Sequence, residues 1–120
     1  MSTLSSQPLP PRTLNLLTYA WEDATVVRCT GRLTAETSPL LKTEVKALLP
    51  NKRRVILDLT ELGYMDSSGL GALVAIYISA KTAKCQLQLL NLSPRIRELL
   101  SLANVLSVFE ECGRAGTRCP

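Results

Sequence analysis

One stretch, Val55 to Gly71, limits what this chain can fold into more than any other. Val55, Ile56, Leu57 and Leu59 form a short apolar run with β-branched residues, the pattern of a strand covered on at least one face. Further on, Leu70, Leu73, Val74 and Tyr77 recur at i, i+3, i+4 and i+7, the spacing of an amphipathic helix. Between them the sequence reads as a loop ending in Asp66-Ser67-Ser68-Gly69, residue types that favour helix N-caps. A helix start leaves backbone N–H groups unpaired and carries a partial positive charge. A hydroxyl there is well placed to carry a phosphate or to sit beside one.

The strand ending in Asp58-Leu59, the turn Met65-Asp66-Ser67-Ser68-Gly69-Leu70-Gly71 and the downstream Leu89-Leu90-Asn91-Leu92-Ser93-Pro94 resemble those of a bacterial anti-sigma factor antagonist. That family is the single-domain form of the STAS fold. The resemblance runs from about Leu14 to about Phe109, nearly the whole chain.

With 120 residues, 46% apolar and 20% charged, the chain fits one soluble globular domain with a genuine core. No basic segment followed by a long apolar run opens it, so no signal peptide is expected. Its richest apolar stretch, Leu70 to Ala80, falls short of the ~20 residues that span a bilayer. A cytoplasmic location without membrane insertion follows as the expectation.

The composition excludes several chemistries. The chain has no histidine, so Ser-His-Asp and Cys-His catalysis are ruled out, and no GxSxG elbow is present. Its four cysteines (Cys29, Cys85, Cys112 and Cys119) lack CxxC spacing, and no metal site or cofactor is expected. Cys29 and Cys85 fall in expected strands and read as buried free thiols. Net charge is +4, with Lys52-Arg53-Arg54 as a local basic cluster. A solvated loop before a strand explains that cluster better than an acidic partner or nucleic acid does. Aromatic residues are only 4%, too few for a platform on which RNA bases stack.

In order, residues 1–12 hold Ser5, Ser6, Pro8, Pro10 and Pro11 with little periodicity and read as a disordered leader. Leu14 to Ala20 and Ala24 to Thr30 form a hairpin around Glu22-Asp23, with Trp21 anchoring its tip. After the loop Gly31 to Thr37, Ser38 and Pro39 read as cap and first residue of a helix. Leu41, Val45, Leu48 and Leu49 give that helix an apolar face, and Pro50-Asn51 stops it. The central strand and helix follow, then the strand at Gln86 to Leu89. Ser93-Pro94 opens a helix that buries Ile96, Leu99, Leu100 and Ala103, and Asn104 supplies a left-handed end. Val105 to Phe109 reads as a last strand, and the domain spans 13–110 with a flexible tail over 111–120. The predicted class is a single α/β domain of order β-β-α-β-α-β-α-β. Its sheet is mixed, with four to five strands and helices packed on it.

On local chemistry alone, Ser67 reads as readily as a cap as it does a modified hydroxyl. The resemblance places a phosphorylated serine directly after the aspartate, at Ser67 ahead of Ser68. It implies no enzymatic activity of the chain's own. The implied partner is an anti-sigma factor that is also a serine-protein kinase, with a serine phosphatase resetting the switch. Asp66, Ser67, Ser68, Gly69, Leu70, Gly71, Thr34 and Glu36 are the implied partner-binding residues. In this family the first loop commonly reads Gly-Glu-Leu-Asp. Here Gly31 and Leu33 match, while Arg32 and Thr34 replace the two acids. Two other classes stay open: a STAS interaction subunit of a signalling or membrane-transport assembly without phosphate cycling, and a nucleotide-binding protein. The second has only Ser67, Ser68 and Gly69 for it, with no GxxxxGK[ST] loop.

Overall fold

A computed structural model describes residues 13–111. The expected leader, the tail beyond Glu111, Cys112 and Cys119 lie outside the described residues. The chain forms β1 (Leu14–Trp21), β2 (Ala24–Leu33), α1 (Ser38–Leu48), β3 (Arg54–Asp58) and β4 (Leu62–Met65). These are followed by α2 (Ser67–Thr82), β5 (Gln86–Leu90), α3 (Pro94–Leu102) and β6 (Glu110–Glu111). The class is the expected one, α/β with a mixed sheet. Its strands run β1-β2-β3-β5-β6, with β4 beside the far end of β2.

The β1–β2 hairpin is antiparallel, and every other pairing is parallel. Three helical crossovers explain the parallel part: α1 carries the chain from β2 to β3, α2 from β4 to β5, and α3 from β5 to β6. Glu22 turns the hairpin in a left-handed conformation, φ 54°. At its tip Trp21 is half-buried and packs on Ala24, Val26, Ile56 and Leu90.

Alternation along the strands divides the core in two. Val27, Cys29, Val55, Leu57, Leu87 and Leu89 meet Leu41 and Val45 of α1, Leu73 and Ile76 of α2, and Ile96 and Leu100 of α3. The opposite sheet face carries the smaller cluster under Tyr19 and Trp21. Arg54 lies on that face, where it donates from Nε to Gln88 Oε1 at 2.6 Å and from Nη1 to Asp23 Oδ1 at 3.1 Å. It is therefore the buried first residue of β3, whereas Lys52 and Arg53 are exposed, as expected of the cluster.

The structure corrects four local expectations. Ser38 is not the cap of α1. Thr37 occupies that position, and its hydroxyl instead donates to Arg32 O and accepts from Thr34 N, closing the preceding loop. Leu62 to Met65, expected as loop, is a strand because a bulge at Gly31 frees the end of β2 to pair with it. Val105 to Phe109 is not a strand: Leu106–Val108 is a 3₁₀ turn, and β6 follows at Glu110–Glu111, where the tail was expected to begin. There Asn104, at φ 60°, reverses the chain. Val105 N then donates to Leu100 O, a bond typical of a Schellman ending, and the apolar run packs beneath α3. Finally, Ala103 is exposed and Leu99 only half-buried, while Ile96 and Leu100 are buried as expected.

Candidate functional site

The start of α2 is built from its cap inward. Asp66 has extended backbone geometry, and its Oδ1 accepts from Gly69 N at 3.0 Å. Asp66 N donates to Leu33 O at 3.3 Å, tying the cap to the end of β2. The carboxylate thus satisfies one of the orphan donors of the first turn and places negative charge where the helix dipole favours it. Ser67 and Ser68 are the first two helical residues, and both are exposed. Neither is the cap, so the capping role leaves both hydroxyls available for chemistry.

What lies behind the serines is rigid. Gly69 is buried against the Leu33 carbonyl, where a β-carbon would overlap the oxygen and crowd Met65 Cγ at 2.7 Å. The glycine therefore serves helix–strand packing. Gly71 is exposed, with nothing within 4 Å of where its β-carbon would be. Met65 is buried and Leu70 half-buried against the core. The buried line of α2 runs through Gly69, Ala72, Leu73, Ile76 and Ala80, small residues flanking two large apolar ones. The N-termini of α1 and α2 also meet, with Ser38 Oγ donating to Thr34 O at 2.5 Å and to Ser68 O at 3.4 Å.

Beside the cap is an open pocket of about 280 Å³ lined by Arg32, Thr34, Ala35, Glu36, Tyr64 and Asp66. It brings together Thr34, Glu36 and Asp66, residues expected at the site from distant parts of the sequence. Glu36 is exposed on its wall. Thr34 is buried, and its hydroxyl has no hydrogen-bond partner. Two residues join them that were not among the expected site residues. The Arg32 guanidinium lies over the Tyr64 ring at 4.2 Å from its centroid, an attractive cation–π distance. The two side chains face one another because Arg32 and Tyr64 are register partners in the β2–β4 pairing. Tyr64 gave no signal in the sequence because that pairing is long-range. Arg32 was visible only as a basic residue where the resemblance implies an acid.

A model of the STAS domain family matches residues 15–115. The chain belongs to that family. An anti-sigma-B factor antagonist from Listeria monocytogenes is 34% identical over 82 residues, 67% of this chain and 71% of the relative. Among solved structures, an anti-sigma factor antagonist from Mycobacterium paratuberculosis superposes with TM-score 0.77 at 20% identity, covering 88% of this chain and 91% of that one. The Bacillus cell fate determinant SpoIIAA in its phosphorylated form gives TM-score 0.64 at 18% identity, over 85% of this chain and 93% of that one. These two likenesses show the fold.

Among the described residues, no helix is long and apolar enough to cross a membrane, and no group of three or more His, Cys, Asp or Glu is placed to hold a metal ion.

Proposed function

We propose that the chain is an anti-sigma factor antagonist. In this reading it binds an anti-sigma factor that is also a serine-protein kinase, and phosphorylation of Ser67 ends the interaction. A serine phosphatase restores the binding form, so the cycle controls sigma-factor-dependent transcription. The chain is the substrate of that catalysis and performs none itself. The observation that carries the reading is the placing of Ser67: exposed, one residue past a cap that another side chain already supplies, on a helix start seated firmly against β2. The names of its relatives supply the class of partner.

The switch works through charge at a contact surface. Phosphate on Ser67 adds roughly −1.5 to −2 charges at neutral pH. The unpaired N–H groups of the first turn tolerate that charge, so α2 stays folded. A partner surface fitted closely over Ser67, Ser68 and Gly71 has to desolvate the dianion or exclude it. A ~100-fold loss of affinity corresponds to about 2.7 kcal/mol, within the reach of one misplaced dianion. The test is a pull-down of the cognate kinase from the host by Ser67→Ala and Ser67→Asp variants. Retention by the alanine variant and loss by the aspartate variant is the expected result; equal retention by both would sink the switch.

A second reading draws on the loop after β2. Thr34 is buried and presents no charge, and Arg32 is basic, so a partner fitted to an acidic loop meets different chemistry here. A constant interaction subunit without phosphate cycling fits that observation. An unmodified Ser67 in growing and in stressed host cells, read by phosphopeptide mass analysis, would favour it.

A further inference from the structure

We propose that Arg32 is an internal receptor for the phosphate on Ser67, so that the modified chain holds its own phosphoserine in the pocket beside the α2 cap. This deepens the reading of Ser67 as the phosphorylated residue, and rests on it.

Three independent features converge on an anion here. First, Arg32 Nε is buried and has no hydrogen-bond partner. A buried unsatisfied donor is costly, and a charged one more so. Second, Thr34, 9% exposed and lining the same pocket, holds a buried hydroxyl that also lacks a partner. Third, Asp66 lines this pocket and Ser67 follows it directly at the positive end of α2. The guanidinium is already oriented by the Tyr64 ring, so little further side-chain freedom is lost when it binds. Arginine presents a planar fork of donors that matches phosphate oxygens in pairs.

Charges of both signs face the pocket. The Asp66 carboxylate is engaged by Gly69 N, and the exposed Glu36 carboxylate lines the wall; both oppose a second negative charge on the phosphate. Arg32 and the helix start favour it. Arg32 therefore changes what phosphorylation does locally. An unmodified chain offers a partner a cation on an aromatic face; a modified chain offers a phosphate that has consumed it.

The test uses the full chain with phosphoserine placed at position 67 during translation, so it needs no kinase. The phosphorus NMR signal is followed through the second phosphate ionisation in the otherwise unchanged chain and in Arg32→Gln. The expected result is an ionisation about one unit lower with Arg32 present, with Arg32→Lys between the two. The same midpoint in all three would overturn the proposal. Should Arg32→Gln fail to fold, the Arg32 Nε–H signal of the unsubstituted chain decides. It is expected to shift and to exchange more slowly when position 67 is phosphorylated; no change would overturn the proposal. Inorganic phosphate added to the unmodified chain separates the two sources of the anion. An equal effect at millimolar concentration would show a free-phosphate site instead of an internal receptor. A failed titration leaves the kinase pull-down result standing, and a failed pull-down leaves the titration readable.

Discussion

Gly69 lies directly against the backbone carbonyl of Leu33, leaving no room between α2 and β2 for even one methyl group. This contact fixes where the helix starts, and so where Ser67 stands. Gly69→Ala pushes a β-carbon into backbone that cannot yield easily, and overpacking of that kind costs about 1–3 kcal/mol. The helix propensity of alanine returns no more than about 1 kcal/mol of that. Gly71→Ala, two residues on, meets open space and is expected to stabilise the chain by about 0.5–1 kcal/mol. Urea unfolding of both variants checks the pair. On the functional reading, Gly71→Ala also weakens kinase binding despite its gain in stability, because its methyl lies on the contact surface.

The cap of α2 combines hydrogen bonding with charge, and substitution separates them. Asp66→Ala loses the acceptor for Gly69 N and is expected to cost about 1 kcal/mol. Asp66→Asn keeps a carbonyl oxygen in the same place and loses only the attraction to the dipole, about 0.3–1 kcal/mol at low salt. Thermal melts at low and high salt distinguish the two. The Asn deficit shrinks as salt rises, and the Ala deficit persists. A salt-independent Asn variant would show that the carboxylate charge contributes nothing.

These two positions also show what was legible in the sequence. Asp66 and Ser93 announce helix starts by chemistry confined to a few neighbours: Asp66 accepts from Gly69 N, and Ser93 accepts from Ile96 N at 3.2 Å. Local signals of that kind survive folding. Ser38 misled because Thr37 beside it carries the same kind of hydroxyl, and the choice was made by the loop bonds to Arg32 and Thr34. Leu62 to Met65 gave no strand signal because Gly63 interrupts it and its partner, the end of β2, lies about thirty positions earlier. The run Val105 to Phe109 looked like a strand because it is apolar. A turn satisfies that burial equally well, with Phe109 set edge-on to Tyr77 at 5.5 Å. At the start of α2, the cap was readable from the residue types of Asp66-Ser67-Ser68-Gly69, while the choice of Ser67 came from the resemblance. The Arg32–Tyr64 stack was not readable, because it depends on a register that only the assembled sheet supplies.

Cys29 makes the fold sensitive to alkali. Its thiol is buried on the helix side of β2, and burial, helped by the Asp58 charge, pushes its pKa from 9.0 up to about 12. The native state therefore keeps the proton after the unfolded chain has lost it. Below about pH 9 both states are protonated, and the full contribution to stability is present. Between about pH 9 and 12 it is lost, at up to about 1.4 kcal/mol per pH unit. Cys29→Ala removes the thiol and leaves a small void, costing about 1 kcal/mol at neutral pH. Unfolding free energies of the two chains are expected to run parallel up to pH 9 and to converge above it, as only the cysteine chain carries the penalty. The same burial keeps native Cys29 unreactive toward a thiol reagent at pH 8 until denaturant is added. Curves that stay parallel through pH 10 would mean that water reaches the sulfur and that the packing of β2 against α1 and α2 is looser than the structure shows.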